Sequence, residues 1–155
     1  MKEKSLLKIQ HTMNFNNYTI KAQEAVQEAV QLTQTEGQQG VETGHVLKTL
    51  LKADDKITDF FINKLNVNKK ILDTRLDDII RNYPKVSGGS PFIGNDLQQA
   101  LNKATNYLSE FNDEYITIEH LFLAIVAGKD KAAQMLKDVG FTVKYLKAAI
   151  LELRG

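Results

Sequence analysis

Ile20-Lys21-Ala22-Gln23-Glu24-Ala25-Val26-Gln27-Glu28-Ala29-Val30 and Asn95-Asp96-Leu97-Gln98-Gln99-Ala100-Leu101-Asn102-Lys103-Ala104-Thr105 stand 75 residues apart in a chain of 155. In the first, Ala22, Ala25, Val26, Ala29 and Val30 recur at spacings of three and four, the stripe of a helix with one face against a core. In the second, Leu97, Leu101, Ala104 and Leu108 do the same. Gln23 falls on Gln98, Ala25 on Ala100 and Ala29 on Ala104.

Outward from these two stretches the correspondence continues. Val41 falls on Ile116, His45 on His120, Val46 on Leu121 and Leu50 on Ile125. Past the middle of each copy the shift becomes 74, and Phe61 meets Met135, Leu65 meets Val139, Leu72 meets Leu146 and Leu76 meets Ile150. Such an internal repeat sets the architecture before any single motif does. Each copy reads as four helices. In the first copy, one helix starts after Thr19, whose hydroxyl can accept from an amide of the first turn, and ends toward Gly37 and Gly40. Further helices run through Val46–Leu51, Ile57–Leu65 and Ile71–Ile80, the last stopping before Pro84. In the second copy, a helix through Leu121–Val126 is entered at Thr117. The stretch Asn82–Pro91 holds both prolines and the pair Gly88-Gly89, which disfavours helix and strand alike. The expected fold is all-α, about eight helices in two pseudo-symmetric four-helix repeats. Repeat one is residues 18–82, the linker 83–92 and repeat two 93–155, one domain over 13–155 behind an extension of residues 1–12. The one short β-like run is Tyr115-Ile116-Thr117-Ile118.

Composition narrows the function. Hydrophobic residues are 43% and charged residues 25%, as in folded globular chains. Twenty Lys and Arg against nineteen Asp and Glu give a net charge of +1, with no field to hold the chain on nucleic acid. The absence of cysteine excludes disulfides, thiolate catalysis and Cys-based metal sites. No apolar run approaches the ~20 residues that span a bilayer, and the basic N-terminus lacks a signal-peptide core. A cytoplasmic protein is expected, without membrane or nucleic-acid partners.

Catalytic patterns are missing. The chain has no phosphate-cradling Gly-x-x-x-x-Gly-Lys-Ser/Thr, no dinucleotide fingerprint, no Gly-x-Ser-x-Gly and no His-Glu-x-x-His. No enzyme, cofactor or metal site is expected. His45 and His120 sit at equivalent places just inside a short helix, without a second ligand three or four residues on. They read as structural, each imidazole bonding a loop carbonyl. His11 lies in the extension and reads as solvated. Glu119-His120 is a weak acid–imidazole pair, since helix neighbours point about 100° apart. Asp54-Asp55 and Asp77-Asp78 read as caps or solvated charges, and Phe60-Phe61 as core.

Thr19-Ile20-Lys21-Ala22-Gln23-Glu24-Ala25 and Asp113-Glu114-Tyr115-Ile116-Thr117-Ile118-Glu119-His120-Leu121-Phe122-Leu123-Ala124 together resemble the N-terminal domain of the Clp AAA+ unfoldases. Pro84-Lys85-Val86-Ser87-Gly88-Gly89 and Ala149-Ile150-Leu151-Glu152-Leu153-Arg154-Gly155 are similar to its disaggregase branch, ClpB. The resemblance covers Met13 to Gly155. It departs at residues 1–12, upstream of the usual start, and at Gly44, where the first repeat often has Glu before its His.

The resemblance implies a substrate-recruitment domain with no catalysis of its own, carried by a homohexameric ATP-driven ring. It would bind unfolded or aggregated polypeptide, with ATPase modules after Gly155 and the isolated domain a monomer. The alternative it implies is the adaptor-binding domain of a protease-linked Clp unfoldase. Thr19, Asp113 and Glu119 are the polar substrate-contact set carried over from the family. Their repeat-related counterparts are Gly94, Gln38 and Gly44, so any site built from them exists once. Tyr107 and Phe111 are the apolar neighbours. Capping alone also accounts for Thr19 and Glu119. The expected mode is a groove between the halves, apolar inside, with these polar residues at its rim.

Overall fold

The computed structural model describes residues 13–86 and 88–155. Expectations about residues 1–12, His11 included, lie outside the described residues. Eight helices are present among those described: α1 (Ile20–Thr35), α2 (Thr43–Ala53), α3 (Asp55–Lys64), α4 (Lys69–Arg81), α5 (Asn95–Phe111), α6 (Ile118–Val126), α7 (Lys131–Val139) and α8 (Val143–Arg154).

Local chemistry fixes most of their starts. Thr19, Asp54, Asn68, Thr117, Asp130 and Thr142 each accept from an otherwise unpaired amide of the first turn. The chain leaves α1 through Gly37 and α7 through Gly140, both at positive φ, where a Cβ is strained. α4 ends at Arg81, short of Pro84.

The second helix of each repeat lies at the centre. Every residue of α6 is buried except Glu119, and α2 buries Thr43–Leu47 and Thr49–Leu51. A helix apolar on all sides belongs inside a bundle. α1 covers α2 and α5 covers α6, while α2 and α6 pack on each other across the pseudo-two-fold. The third and fourth helices cross over: α3 packs on α8 and α4 on α7. Phe61, Phe122 and Phe141 meet edge to face at 6.0 and 5.1 Å in the shared core.

A feature without a sequence signature ties the halves together. Strand β1 (Gly40–Val41) pairs in parallel with strand β2 (Phe92–Ile93), and Tyr18 forms a parallel bridge with Ile116. The segment before each repeat's first helix thus joins the segment before the other repeat's second helix. The exchange is reciprocal, since Tyr18 and Val41 correspond to Ile93 and Ile116. The linker region therefore ends in a strand at Phe92, and of the β-like run only Ile116 pairs. Thr117 already caps α6 and Ile118 opens it.

Candidate functional site

The reciprocal exchange places Thr19 beside the loop that enters α6. Its amide donates to the carbonyl of Ile116 at 2.9 Å, and the amide of Ile116 donates to Asn17 at 2.7 Å. The Thr19 hydroxyl accepts from the amide of Ala22, so it caps α1. Asp113 and Glu119 bracket the same loop. Thr19, far away in the chain, is thereby tied through Ile116 to the loop that runs from Asp113 to Glu119.

The loop is anchored from below by His120, only 1% exposed. Its Nδ1 accepts the amide of Thr117 at 2.9 Å, so the ring proton sits on Nε2 and is donated to Asp113 Oδ2 at 2.7 Å. His45 repeats this geometry: Nδ1 accepts the amide of Glu42 at 2.9 Å and Nε2 donates to Gln38 Oε1 at 2.7 Å. Both histidines are structural, but each accepts a loop N–H rather than bonding a loop carbonyl. A neutral ring inside a loop has a lone pair to offer a backbone donor. Burial lowers both imidazole pKa values, that of His45 to about 4. For His120 the nearby Asp113 resists that shift.

Asp113 Oδ2 also accepts from Arg154 at 2.7 Å, and the guanidinium reaches Glu119 Oε1 at 3.9 Å. It lies 5.3 Å from the ring centre of Phe111, within cation–π range. Burial pushes the Asp113 carboxyl up, but Arg154 and His120 outweigh it and hold the group below its usual value. Phe111 packs edge-on to Tyr107 at 6.3 Å and to His120 at 5.7 Å. Tyr107 is 8% exposed, with Lys147 over its face, so it supports Phe111 rather than presenting surface. Among the polar residues, Asp113 is committed to two internal donors, while Glu119 keeps spare acceptor capacity.

The pseudo-symmetric place in repeat one is filled. Tyr83 lies 5.0 Å from His45, and its hydroxyl accepts the amide of Gly44 at 3.2 Å. A Cβ on Gly44 would come within 2.6 Å of that hydroxyl. Gly44 therefore makes room for Tyr83, and Glu could not stand there without displacing it. A Cβ at Gly94, the counterpart of Thr19, would run into the Glu42 carboxylate, whose side chain would have to swing aside.

Residues 17–139 match the model of the Clp repeat (R) N-terminal domain. The chain belongs to this family. The N-terminal domain is 45% identical over 142 residues to the chaperone protein ClpB of Bacteroides thetaiotaomicron and 42% identical to that of Porphyromonas gingivalis. Each match takes in 92% of this chain and 16% of the relative, so the chain spans about a sixth of the length of these curated relatives. The fold is that of the Hsp104 N-terminal domain from Candida albicans, with a TM-score of 0.78 over 90% of this chain and 92% of that one at 17% identity. The N-terminal domain of the ClpV1 ATPase from E. coli superposes with a TM-score of 0.72 over 86% and 83% of the two chains, at 18% identity.

The Clp N-terminal domain offers hydrogen-bond acceptors beside apolar surface at this edge. Among the described residues no group of three or more His, Cys, Asp or Glu is placed to hold a metal ion. Four participants escape a reading of the sequence. Arg154 and Lys147 sit on the last helix, with no spacing that links them to α5. Ile20, 75% exposed, and Tyr115, 52% exposed, adjoin Thr19 and Ile116 in the chain. Ile20 is the apolar residue of α1 that falls off the buried stripe, which is the one sequence signal that points to it.

Proposed function

We propose that this Clp N-terminal domain recruits unfolded or aggregated polypeptide for an ATP-driven, hexameric disaggregase. Thr19, Asp113 and Glu119 form the polar rim of the contact, with Phe111 as its apolar surface above Tyr107. The observation that carries this reading is the gathering of Thr19 and Glu119 around the Ile116 loop, next to exposed Ile20 and Tyr115. Apolar burial is non-directional and suits many sequences, while rim acceptors take backbone amides, which every polypeptide offers. Asp113 acts mainly as a positioning residue, fixing the loop through His120 and Arg154. Glu119 makes the direct polar contact. Weak, rapid binding by one domain would be multiplied when several copies act on one chain. The disaggregase reading is preferred to an adaptor-binding domain of a protease-linked unfoldase because the relatives 45% and 42% identical to this chain are both ClpB chaperones.

The test is chemical-shift mapping with a reduced, alkylated model protein that cannot fold. Binding should perturb the amides of Thr19, Tyr115, Ile116 and Glu119, and Glu119→Ala should weaken it several-fold. If a folded Thr19→Ala, Asp113→Ala, Glu119→Ala variant bound as well as the parent, the site would lie elsewhere.

A further inference from the structure

One ion pair of the first repeat has no equivalent in the second. Lys21, in the first turn of α1, donates to Asp54, the N-cap of α3, at 2.8 Å. The N-cap of the corresponding helix α7 is again an aspartate, Asp130. The first-turn residue 75 positions beyond Lys21, however, is Asp96. Where repeat one has a lysine and an aspartate, repeat two has two aspartates bordering one cavity. Glu42, the N-cap of α2, is close to both: burial raises its carboxyl pKa, and Asp96 and Asp130 add to the rise. Among the described residues none of these three carboxylates has a Lys or Arg within 4.0 Å. Asp130 instead accepts the Thr43 hydroxyl at 2.6 Å.

The space differs in the same sense. Lys21, Glu24, Ala25, Glu28, Lys52 and Ala53 border a hollow of about 160 Å³. Their counterparts Asp96, Gln99, Ala100, Lys103, Ala127 and Gly128 border one of about 440 Å³. Ala127 in place of Lys52 and Gly128 in place of Ala53 account for room that long side chains take up in repeat one. The remaining wall is suited to a chain. Ala100, Ala124 and Ile125 give an apolar floor, and the Gln99 and Asn106 amides can meet peptide groups. Lys103 lies about 10 Å along the axis of α5 from Asp96, seven residues on, and Lys129 precedes Asp130 in the loop.

We propose that this cavity is a second polypeptide-binding site, separate from the Thr19 edge, which receives a lysine side chain of the bound chain. The ammonium takes the place between Asp96 and Asp130 that Lys21 holds against Asp54 in repeat one. Its methylene stem lies along Ala100 and Ala124, as lysine stems do on apolar surface. A metal ion is the poorer occupant, since no metal-holding group of three acids or histidines exists among the described residues. The assignment stands independently of whether the Thr19 edge binds substrate.

The test titrates the 15N-labelled chain with a blocked Gly-Lys-Gly peptide, its acetyl-lysine form and n-butylammonium. The lysine peptide should shift the amides of Asp96–Lys103 and Ala127–Asp130, with acetylation weakening binding about tenfold or more, the loss of one charge-assisted contact. Asp96→Lys, which rebuilds the internal pair of repeat one, should abolish those shifts and leave binding of the alkylated model protein at the Thr19 edge unchanged. Should that variant fail to fold, Asp96→Asn carries the same comparison. Equal binding of the acetylated peptide would overturn the proposal. So would shifts confined to other surfaces, or n-butylammonium binding as tightly as the peptide.

Discussion

Lowering the pH from 8 to 5 should destabilise the fold by about 2 kcal/mol through one imidazole, that of His45. The ring is fully buried against Tyr83, accepts the Glu42 amide at Nδ1 and donates to Gln38 at Nε2. Gln38 Oε1 is held toward Nε2 because its amide nitrogen donates to the Ile80 carbonyl at 2.6 Å, which keeps the single proton of the neutral ring on Nε2. A second proton on Nδ1 would point at an N–H donor. Burial accordingly holds the His45 pKa at about 4 in the folded chain, against an ordinary 6.5. The unfolded chain takes up the proton as pH falls through 6.5, and the folded chain does so only near 4. The stability is thus whole above 6.5 and is lost progressively toward 4, with about 2 kcal/mol gone by pH 5. His120, also lowered by burial, adds in the same direction. Glu42 runs the other way: burial, then Asp96 and Asp130, raise its carboxyl pKa, so its part of the stability falls as pH rises through its titration. The assay is urea unfolding followed by circular dichroism at pH 8, 7, 6 and 5, on the parent chain and on His45→Gln. Comparing the two slopes largely removes the contributions of Glu42 and His120. Parallel slopes in the two proteins, or an NMR titration of His45 with a midpoint near 6.5, would refute the reasoning.

Gly44→Ala would favour a surface helix by about 1 kcal/mol. Here the new methyl meets Tyr83, so a net loss of about 1–2 kcal/mol is expected in thermal unfolding, partly relieved by adding Tyr83→Phe. Arg154→Ala should let the Asp113 carboxyl rise, since burial already pushes it up and the guanidinium is the chief opposing influence. Carboxyl NMR would show this, and a fall in stability of more than about 1 kcal/mol would be unexpected for a partly exposed pair. Thr49→Val removes the buried hydroxyl that donates to Ala25 at 2.7 Å between α1 and α2, and about 1–2 kcal/mol should be lost on chemical denaturation.

The helices were legible in the sequence because their causes are local. Stripes at three and four residues, and Thr, Asp and Asn at the starts, act within a few turns, and the 75-residue register exposed the duplication. The exchange between halves was not legible, because β1 and β2 are two residues each, too short for an alternating pattern. Their pairing joins Gly40 to Phe92, across more than fifty residues. The candidate site inherits both outcomes. Thr19, Asp113 and Glu119 are named by motif, but their proximity follows from the Tyr18–Ile116 bridge, which no spacing announces. Tyr107 shows the converse, since a tyrosine before a loop reads as available surface until Lys147 and Phe111 are seen to cover it.

The duplication also explains why the two halves can differ so much at the surface. What the fold requires twice is retained twice: a histidine that closes the entry to the central helix, an N-cap aspartate on the third helix, and the exchanged pair of backbone segments. These elements satisfy buried polar groups, which cost about 1–3 kcal/mol each when left unmet, so neither copy can lose them singly. Around each histidine and each N-cap, however, the partners change. Gln38 becomes Asp113, Gly44 becomes Glu119, Gly94 answers Thr19, and Lys21 becomes Asp96. Repeat one closes both places with its own chain, using Tyr83 over His45 and Lys21 against Asp54. Repeat two leaves acidic acceptors at both, with spare capacity at Glu119 and at Asp96. A duplicated scaffold in which one copy closes these two places with its own chain and the other does not has its binding capacity there on one side, and that asymmetry links the proposed edge and the proposed cavity.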